Sequence, residues 1–213
     1  MEFRGLISAT QLSVLPLFCE VMSKELAELV RRASSPLTDR DVGDLPLLTI
    51  GSQFQGSNNT KIGKQAIYSA VVAVTGIVKD HLLKQTEREL LIMNSAGRRV
   101  RIQLASDPDI GIDEEFGSHW RRKVAVEIKG GTDRSNAHNR VGEAEKSHQK
   151  AKSVGYRDFW TIISKRGLDM KKISRESPTT NSWFDAGEVL GQKGDDWEDF
   201  RSRFSGEVGI PLK

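Results

Sequence analysis

The spacing of apolar residues changes near Gln85, and this change constrains the fold more than any other feature of the sequence. In residues 61–85, apolar side chains recur at helical spacing along one face. These positions are Ile67, Val71, Val74, Val78, Leu82 and Leu83. After residue 85, apolar and polar residues alternate in short runs, which is typical of β-strands. The sequence therefore predicts a long core helix followed by a β-sheet.

The strands of this sheet can be placed from their turns and apolar runs. Residues Glu89–Met93 and Arg99–Leu104 flank Asn94-Ser95-Ala96-Gly97, a typical turn sequence, and predict a β-hairpin. The elements predicted next are strands at 109–112 and 124–129 with a polar bend through residue 117 between them, a helix at 139–154 and a strand at 159–164. This order can place helices on both sides of a sheet. The predicted fold class is α/β, with a mixed central β-sheet flanked by α-helices.

The segments on either side of this core carry weaker signals. Residues 18–33 predict an amphipathic helix, whereas the prolines and glycines of residues 34–60 predict a loop with short strands at most. Residues beyond 165 are polar and irregular until an acidic-aromatic stretch at 195–204, where we expect a short helix that packs on the core or on a partner subunit. The expected organisation is one domain over residues 1–213, with an N-terminal part (1–60), a core (61–165) and a C-terminal extension (166–213).

The composition excludes several classes of protein. At 213 residues, of which 37% are hydrophobic and 29% charged, the chain fits one soluble globular domain. The single cysteine, Cys19, excludes an intramolecular disulfide and a cysteine-based zinc site, and it fits a reducing cytoplasm. Residues 12–22 are apolar, but Ser13, Pro16 and Glu20 interrupt them, so we expect neither a signal peptide nor a membrane span. The net charge of +3 permits a polyanionic partner without requiring one.

The most informative group of residues is Asp109 together with Glu127 and Lys129. Asp109 follows Pro108 at the start of a predicted strand, and Glu127 stands 18 positions later on the next strand. Side chains two apart on a strand point to the same face, so Glu127 and Lys129 share a face. Pairing of the two strands would bring Asp109 beside them. Two carboxylates and an ammonium group then converge on one spot.

This combination suits metal-dependent hydrolysis of a phosphodiester bond. Asp109 and Glu127 can bind one or two Mg²⁺ ions with water and phosphate oxygens, and the backbone oxygen of Ile128 can complete the metal site. Lys129 can orient or help to deprotonate the attacking water and can stabilise charge in the transition state. The alternative is coincidence, since many strands carry Glu and Lys two apart and many turns carry Pro-Asp. The predicted order of helices and strands around these residues favours catalysis.

This layout resembles the core of the PD-(D/E)XK nuclease superfamily over residues 61–164. The continuation at residues 127–151, EIKGGTDRSNAHNRVGEAEKSHQKA, resembles type II restriction endonucleases, particularly those of the XcyI kind. The resemblance implies a restriction-endonuclease-like core and Mg²⁺-dependent cleavage of double-stranded DNA at a short palindrome, leaving 5′-phosphate and 3′-hydroxyl ends. It also implies a homodimer with a cognate DNA methyltransferase as its functional partner in the cell, and it assigns catalysis to Asp109, Glu127 and Lys129.

Two polar segments are candidates for contact with DNA. Residues 130–140 follow the strand that carries Glu127, and residues 51–64 form a predicted loop rich in small and amide side chains. Each segment can contact phosphates or base edges, or can be an ordinary polar loop. The candidate DNA-binding residues are Arg134, Asn136, Asn139, Arg140, Gln53, Asn58 and Lys61.

Other residues carry weaker hypotheses. Glu143 on the predicted helix at 139–154 can supply a further metal ligand, although a solvated helix face carrying Glu143 and Glu145 beside lysines explains it equally well. The histidines form no compact cluster, so we expect them at the surface or on phosphates rather than as metal ligands. Among the aromatic residues, we expect Phe159 and Trp160 in the core and Trp183 and Trp197 at an interface.

Two other functions stay open on the sequence alone. One is another nuclease of the same fold, such as a repair, junction-resolving or transposon-end enzyme, which differs from a restriction enzyme only in its substrate. The other is a DNA-binding module without catalysis. The complete set of Asp109, Glu127 and Lys129 argues against the second, because a site that has lost its activity has often lost one of these groups.

Overall fold

The computed structural model describes residues 9–32, 38–131 and 136–212, although only part of the side chains before residue 60. The chain divides into two compact units, Met1–Gly56 and Ser57–Lys213. The helices are α1 (Ala9–Arg32), α2 (Asp39–Val78), α3 (Ala137–Ser153), α4 (Met170–Glu176), α5 (Ala186–Gly191) and α6 (Asp195–Val208). The strands are β1 (Leu82–Gln85), β2 (Glu89–Met93), β3 (Arg99–Leu104), β4 (Ile110–Phe116), β5 (His119–Lys129), β6 (Asp158–Ile163) and β7 (Ser182–Asp185). Within the described ranges, no helix is long and apolar enough to cross a membrane.

The helix predicted at residues 18–33 is confirmed within α1, which begins earlier, at Ala9. Ion pairs between residues one helical turn apart lie on the exposed surface of α1. Lys24 and Glu20 approach to 2.7 Å, and Glu28 lies 3.0 Å from both Arg31 and Arg32. Such exposed pairs each contribute only ~0.3–0.5 kcal/mol.

The loop predicted at residues 34–60 is wrong from residue 39 onwards, because α2 begins there. Its start is marked by reciprocal hydrogen bonds between Thr38 and Asp41. The Thr38 backbone N–H donates to Asp41 Oδ2 over 2.8 Å, and the Asp41 backbone N–H donates to Thr38 Oγ1 over 3.2 Å. This is a capping box, and it satisfies donors that a helix end leaves free. Each glycine in this segment disfavours a helix by only ~1 kcal/mol, so the glycines alone do not predict a loop.

The helix predicted at residues 61–85 is confirmed up to Val78 but is wrong at its end. A short 3-10 turn at Lys79–His81 follows α2, and Leu82–Gln85 then forms the first strand of the sheet. Leu82 and Leu83 fit the helical spacing of the preceding apolar residues, so periodicity alone could not separate the two elements.

The seven strands form one sheet in the order β1 to β7. The four neighbouring pairs from β1 to β5 are antiparallel, whereas the pairs β5–β6 and β6–β7 are parallel. The helices that join the parallel strands, α3 and α4, provide the crossovers that such pairs require. The predicted α/β class with a mixed sheet flanked by helices is confirmed, as is the β2–β3 hairpin. The polar bend predicted before residue 117 is instead strand, since β4 and β5 are joined only by Gly117 and Ser118.

The two faces of the sheet carry different helices. Val124, Val126 and Ile128 of β5 belong to the main core cluster, which also contains buried residues of α2, α5 and α6. Ala125, between them, packs instead with Ala151 of α3. Because side chains alternate along a strand, Glu127 and Lys129 lie on the α3 face. This alternation positions Glu127 and Lys129 beneath α3.

The C-terminal extension completes the core. Aromatic side chains of β6, β7 and α6 stack edge-on around Phe200, with Trp160 and Phe184 at ring distances of 5.9 and 5.2 Å. Phe159 and Trp160 are buried, as predicted. The interface prediction for Trp197 is wrong, since it is 8% exposed and packs in this core. Trp183 is partly buried against a smaller cluster beneath α3 and α4.

Candidate active site

The antiparallel pairing of β4 with β5 brings Asp109 beside the end of β5. Ile110 is the register partner of Val126, so Asp109, which precedes β4, lies opposite Glu127 and next to Ile128. The backbone N–H of Ile128 donates a hydrogen bond to Asp109 Oδ2 over 2.7 Å. The Asp109 side chain is thereby held against the strand that carries Glu127 and Lys129.

Glu127 and Lys129 form an ion pair on the α3 face of the sheet. Lys129 Nζ lies 3.0 Å from Glu127 Oε2, and the exposed fractions of the two side chains are 18% and 3%. A buried carboxylate of this kind requires a partner, because removal of one charge from a buried pair leaves the other uncompensated. The structure therefore brings together all three residues that the sequence assigned to catalysis.

Burial and the charge of Glu127 raise the pKa of Asp109 to about 7. The Ile128 N–H and the ammonium group of Lys129 act in the opposite direction but do not outweigh them. Two carboxylates in one poorly solvated place disfavour each other's ionised forms. A cation that binds between them would remove this repulsion, and this is a property of metal-binding carboxylate pairs.

Three further residues, which the sequence analysis missed, adjoin the site: Ser147 and Lys150 on α3 and Asp107 on the segment before β4. Ser147 Oγ lies 2.6 Å from Glu127 Oε1 and 2.6 Å from Asp107 Oδ1. Lys150, one turn further along α3, forms an ion pair with Asp107. These contacts with Lys150 and Ser147 hold the pKa of Asp107 below its usual range. A sequence signal existed, since Ser147 and Lys150 are three positions apart on one helix face and Asp107 stands two positions before Asp109.

The two glutamates of α3 have different environments. Glu143 is exposed at the rim of a cavity. Glu145 is buried, so the solvated interpretation is wrong for this residue. Its carboxylate accepts hydrogen bonds from the hydroxyls of Ser177 and Thr179 at 2.7 and 2.6 Å. Burial opposes ionisation of Glu145, but these hydrogen bonds outweigh it and lower its pKa. Glu145 therefore joins α3 to the segment before β7.

A cavity of about 420 Å³ opens beside Lys129, between α2, the end of β5 and the start of α3. Three predicted DNA-binding residues, Asn136, Asn139 and Arg140, line it. Asn139 Nδ2 donates to Asn136 Oδ1 over 3.1 Å, which joins the first turn of α3 to the residue before it. The polar lining of this cavity is thus continuous with the carboxylate cluster through Lys129.

The two glycines after Lys129 allow close packing within the chain. A Cβ atom on Gly130 would overlap Ala66 Cβ and lie 3.2 Å from the Ile62 carbonyl oxygen, both on α2. A Cβ atom on Gly131 would overlap the guanidinium group of Arg140. Gly130 therefore has a packing role, in addition to any approach to DNA.

The other predicted DNA-binding residues lie apart from this cavity or outside the described residues. Asn58 and Lys61 are exposed on α2, so the recognition loop predicted at 51–64 is wrong in conformation. The side chain of Gln53 and the whole of Arg134 lie outside the described residues.

The histidines do not form a metal site. His119 is exposed at the start of β5, and His138 contacts Glu176 at 2.6 Å. His148 is fully buried, so the surface prediction is wrong for it. Within the described ranges, no group of three His, Cys, Asp or Glu side chains can hold a metal ion by itself. Any ion at Asp109 and Glu127 therefore takes further ligands from the backbone, water or substrate.

Comparisons with known proteins agree with these features. Residues 1–211 match the family described as XcyI restriction endonuclease. The chain is 41% identical over 188 residues to the type II restriction enzyme Cfr9I of Citrobacter freundii, covering 87% of this chain and 56% of that protein. It is 39% identical over 198 residues to the type II restriction enzyme XcyI of Xanthomonas campestris pv. cyanopsidis, covering 92% of this chain and 58% of that protein. The chain thus spans less than two thirds of the length of these relatives. No solved structure matches it significantly.

Proposed function

Because the chain belongs to the XcyI restriction endonuclease family, we propose that it is a type II restriction endonuclease that hydrolyses double-stranded DNA at a specific short sequence. The observation that carries this proposal is the juxtaposition of Asp109, Glu127 and Lys129 at the ends of two paired strands. The names of the relatives support the same activity. Since the chain spans little more than half of their length, the activity of the whole protein is part of the proposal.

The residues present fit a hard divalent cation, for which Mg²⁺ is the proposed cofactor. The available donors are carboxylate and backbone oxygens, which Mg²⁺ prefers over nitrogen or sulfur. The raised pKa of Asp109 supports the fit, because it reflects a buried carboxylate beside the charge of Glu127, and a bound cation would offset both effects. Asp109, Glu127 and the Ile128 carbonyl would hold one or two ions, and Glu143 is the candidate for a further ligand. When bound, the ion supplies Lewis acidity and lowers the pKa of a bound water.

The proposed role of Lys129 concerns the attacking water. Its ammonium group is held 3.0 Å from Glu127 and lines the cavity beside the carboxylates. A fixed positive charge in a partly buried place stabilises developing negative charge more than it would in water. We assign to Lys129 the orientation of the water and the stabilisation of charge on the phosphate.

The polar cavity beside Lys129 is the proposed path of the DNA backbone. Asn136, Asn139 and Arg140 can donate hydrogen bonds to phosphates, and such contacts determine where the duplex lies. Arg134, Gln53, Asn58 and Lys61 stay candidates from the sequence. Cleavage of a palindrome with 5′-phosphate ends, a homodimer and a cognate DNA methyltransferase rest on the family resemblance alone.

The test is incubation of the purified protein with mixed-sequence duplex DNA in Mg²⁺ or in EDTA, followed by mapping of the ends. Asp109→Ala is the inactive variant, and Glu115→Gln, a carboxylate of β4 that pairs with Arg99, is the matched control. Fragments with fixed ends that require Mg²⁺ and Asp109 support the proposal. Cleavage that is unchanged in D109A would overturn the assignment of the site.

Two further outcomes distinguish the alternative functions. Binding of duplex DNA without cleavage, measured by gel shift, would replace the proposal with a DNA-binding module. Cleavage of branched but not linear DNA would replace it with another nuclease of this fold.

A further inference from the structure

We propose that Ser147, which lies between Glu127 and the Asp107–Lys150 ion pair, is a positioning residue that holds the Glu127 carboxylate in the orientation required for cation binding. This inference rests on the proposed function, since it assigns a role within the same site. Ser147 lies on α3, Glu127 on β5 and Asp107 on the segment before β4, so the contact joins three separate parts of the chain.

Both oxygens of Glu127 are held, each by a different residue. Oε1 accepts from the Ser147 hydroxyl over 2.6 Å, and Oε2 lies 3.0 Å from Lys129 Nζ. A glutamate side chain has three rotatable bonds, and a single contact would leave the carboxylate group free to turn. Two contacts from opposite sides fix its plane. Second-layer hydrogen bonds of this kind orient metal-binding carboxylates in general.

Asp107 is a second acceptor for the Ser147 hydroxyl. A serine hydroxyl has one proton and two lone pairs, so it can donate to only one of two carboxylates at a time. Asp107 Oδ1 lies 2.6 Å from Ser147 Oγ, at the same distance as Glu127 Oε1. The hydroxyl therefore has a second acceptor in place when a ligand of Glu127 competes for the same oxygen.

Lys150 allows a third carboxylate to lie near the site. Asp107 contributes to the electrostatic repulsion on Asp109, so an uncompensated charge at Asp107 would add to the negative charge of the cluster. Its ion pair with Lys150 offsets this charge. The four residues Asp107, Lys150, Ser147 and Glu127 thus form a continuous chain of polar contacts from the surface of α3 to the buried carboxylate.

Helix α3 does not need Ser147 in order to pack on the sheet. Its buried side chains Val141, Ala144 and Ala151 provide apolar contact, and Glu145 joins it to the segment before β7. Replacement of Ser147 by alanine removes one hydroxyl from a half-buried position and adds no bulk. Its effect on the fold is expected to be small, and its effect on Glu127 is expected to be specific.

The experiment measures Mn²⁺ affinity by electron paramagnetic resonance in the absence of DNA, so it does not depend on turnover. The variants are S147A and the pair S147T and S147V, which have nearly the same shape and differ in the hydroxyl. Ser153→Ala is the control, because the hydroxyl of Ser153 on the same helix donates to the Lys150 backbone oxygen rather than to a carboxylate. We expect S147A and S147V to bind Mn²⁺ about tenfold more weakly than the parent, and S147T and S153A within about twofold of it.

Steady-state cleavage provides a second readout. In S147A and S147V the kcat at fixed Mg²⁺ is expected to fall and to recover partly at higher Mg²⁺, with the KM for DNA unchanged. Equal Mn²⁺ affinities for S147T and S147V, both as tight as the parent, would overturn the positioning role while leaving the nuclease proposal intact. Mn²⁺ binding by the parent no tighter than by D109A would overturn both, because the cation site itself would then lie elsewhere. The comparison of S147T with S147V tests the proposal even if S147A does not fold.

Discussion

The backbone N–H of Ile128 donates to the Asp109 carboxylate over 2.7 Å and joins the end of β5 to the residue that precedes β4. This bond lies just beyond the last β4–β5 pair, Ile110 with Val126, and its acceptor is a side-chain oxygen. Asp109 is therefore fixed by the sheet rather than by a free loop. Groups held on regular elements keep their relative geometry better than groups on loops. The arrangement supports a site that is formed before substrate binds.

Asp109→Asn is expected to increase the stability of the metal-free protein. Burial and the charge of Glu127 disfavour ionised Asp109, as its pKa of about 7 indicates, and asparagine retains the acceptor for the Ile128 N–H. Since one pKa unit corresponds to about 1.4 kcal/mol, we expect a gain on the order of 2 kcal/mol after relaxation of the neighbours. The measurement is urea unfolding at pH 8 in EDTA, with E115Q as the control. A D109N variant less stable than the parent would contradict the electrostatic account.

The central strands and the helices α1 and α6 could be predicted from the sequence, whereas the first part of α2 and strand β7 could not. Strands β2 to β6 show apolar alternation or short apolar runs with clear turns, and these signals are local. Strand β7 has only four residues, and its burial depends on α6 and on β6 beside it. The cap formed by Thr38 and Asp41 marks the start of α2, although glycines in the following residues are typical of a loop.

The residues of the candidate site also could be predicted only where local patterns determine their positions. Asp109, Glu127 and Lys129 share two strands whose pairing could be inferred, so their juxtaposition followed from the two-residue period. Ser147 and Lys150 reach Glu127 and Asp107 only because α3 crosses the sheet at a particular position. That position depends on packing contacts far apart in sequence, such as Val141 against Ile163. A local pattern can place Ser147 and Lys150 on one helix face, but it does not encode where that helix crosses the sheet.

Lys129→Met is expected to destabilise the metal-free protein and to abolish cleavage. The substitution keeps the length of the side chain but leaves Glu127, whose side chain is 3% exposed, without its ion-pair partner. Loss of one member of a buried pair typically costs about 3 kcal/mol. In a double-mutant cycle, Glu127→Gln should recover much of the stability in the K129M background, because no buried charge then remains unpaired. The measurement is urea unfolding of the four proteins in EDTA.

One outcome of the double-mutant cycle would contradict the ion pair between Lys129 and Glu127. Additive effects of the two substitutions on the free energy of unfolding would mean that Lys129 and Glu127 do not interact across their 3.0 Å separation. Cleavage is not expected to return in the double variant, since neither the carboxylate nor the ammonium group is restored.

Gly130→Ala is expected to destabilise the fold, in contrast to Gly142→Ala. A Cβ atom at Gly130 would overlap Ala66 on α2, and added bulk in a well-packed place costs about 1–3 kcal/mol. Gly142 lies inside α3 with open space around its Cβ direction, so alanine there should stabilise the helix by roughly 1 kcal/mol. Thermal unfolding of both variants measures the difference. Similar melting temperatures for G130A and the parent would show that α2 moves to accommodate the methyl group.

His148 joins the helix α3 to strand β6 in the core. Its Nε2 lies 2.9 Å from Thr161 Oγ1, and its ring lies 5.5 Å from that of Phe159. Among the described residues, its Nδ1 has no hydrogen-bond partner. Burial lowers the pKa of His148 to about 4, with Lys129 acting in the same direction and Glu145 against it. The side chain is therefore neutral in the folded protein at neutral pH.

This environment predicts that His148 makes the folded protein sensitive to acid. Above pH 6.5 the ring is neutral in both states, and its contribution to stability is complete. As the pH falls from 6.5 towards 4, the unfolded chain binds a proton that the folded protein does not, so stability is lost. Between pH 7 and 5 we expect the parent to lose about 2 kcal/mol more than His148→Gln, which keeps a donor for Thr161 but does not titrate. Urea unfolding at several pH values measures this difference, and parallel pH profiles for the two proteins would contradict it.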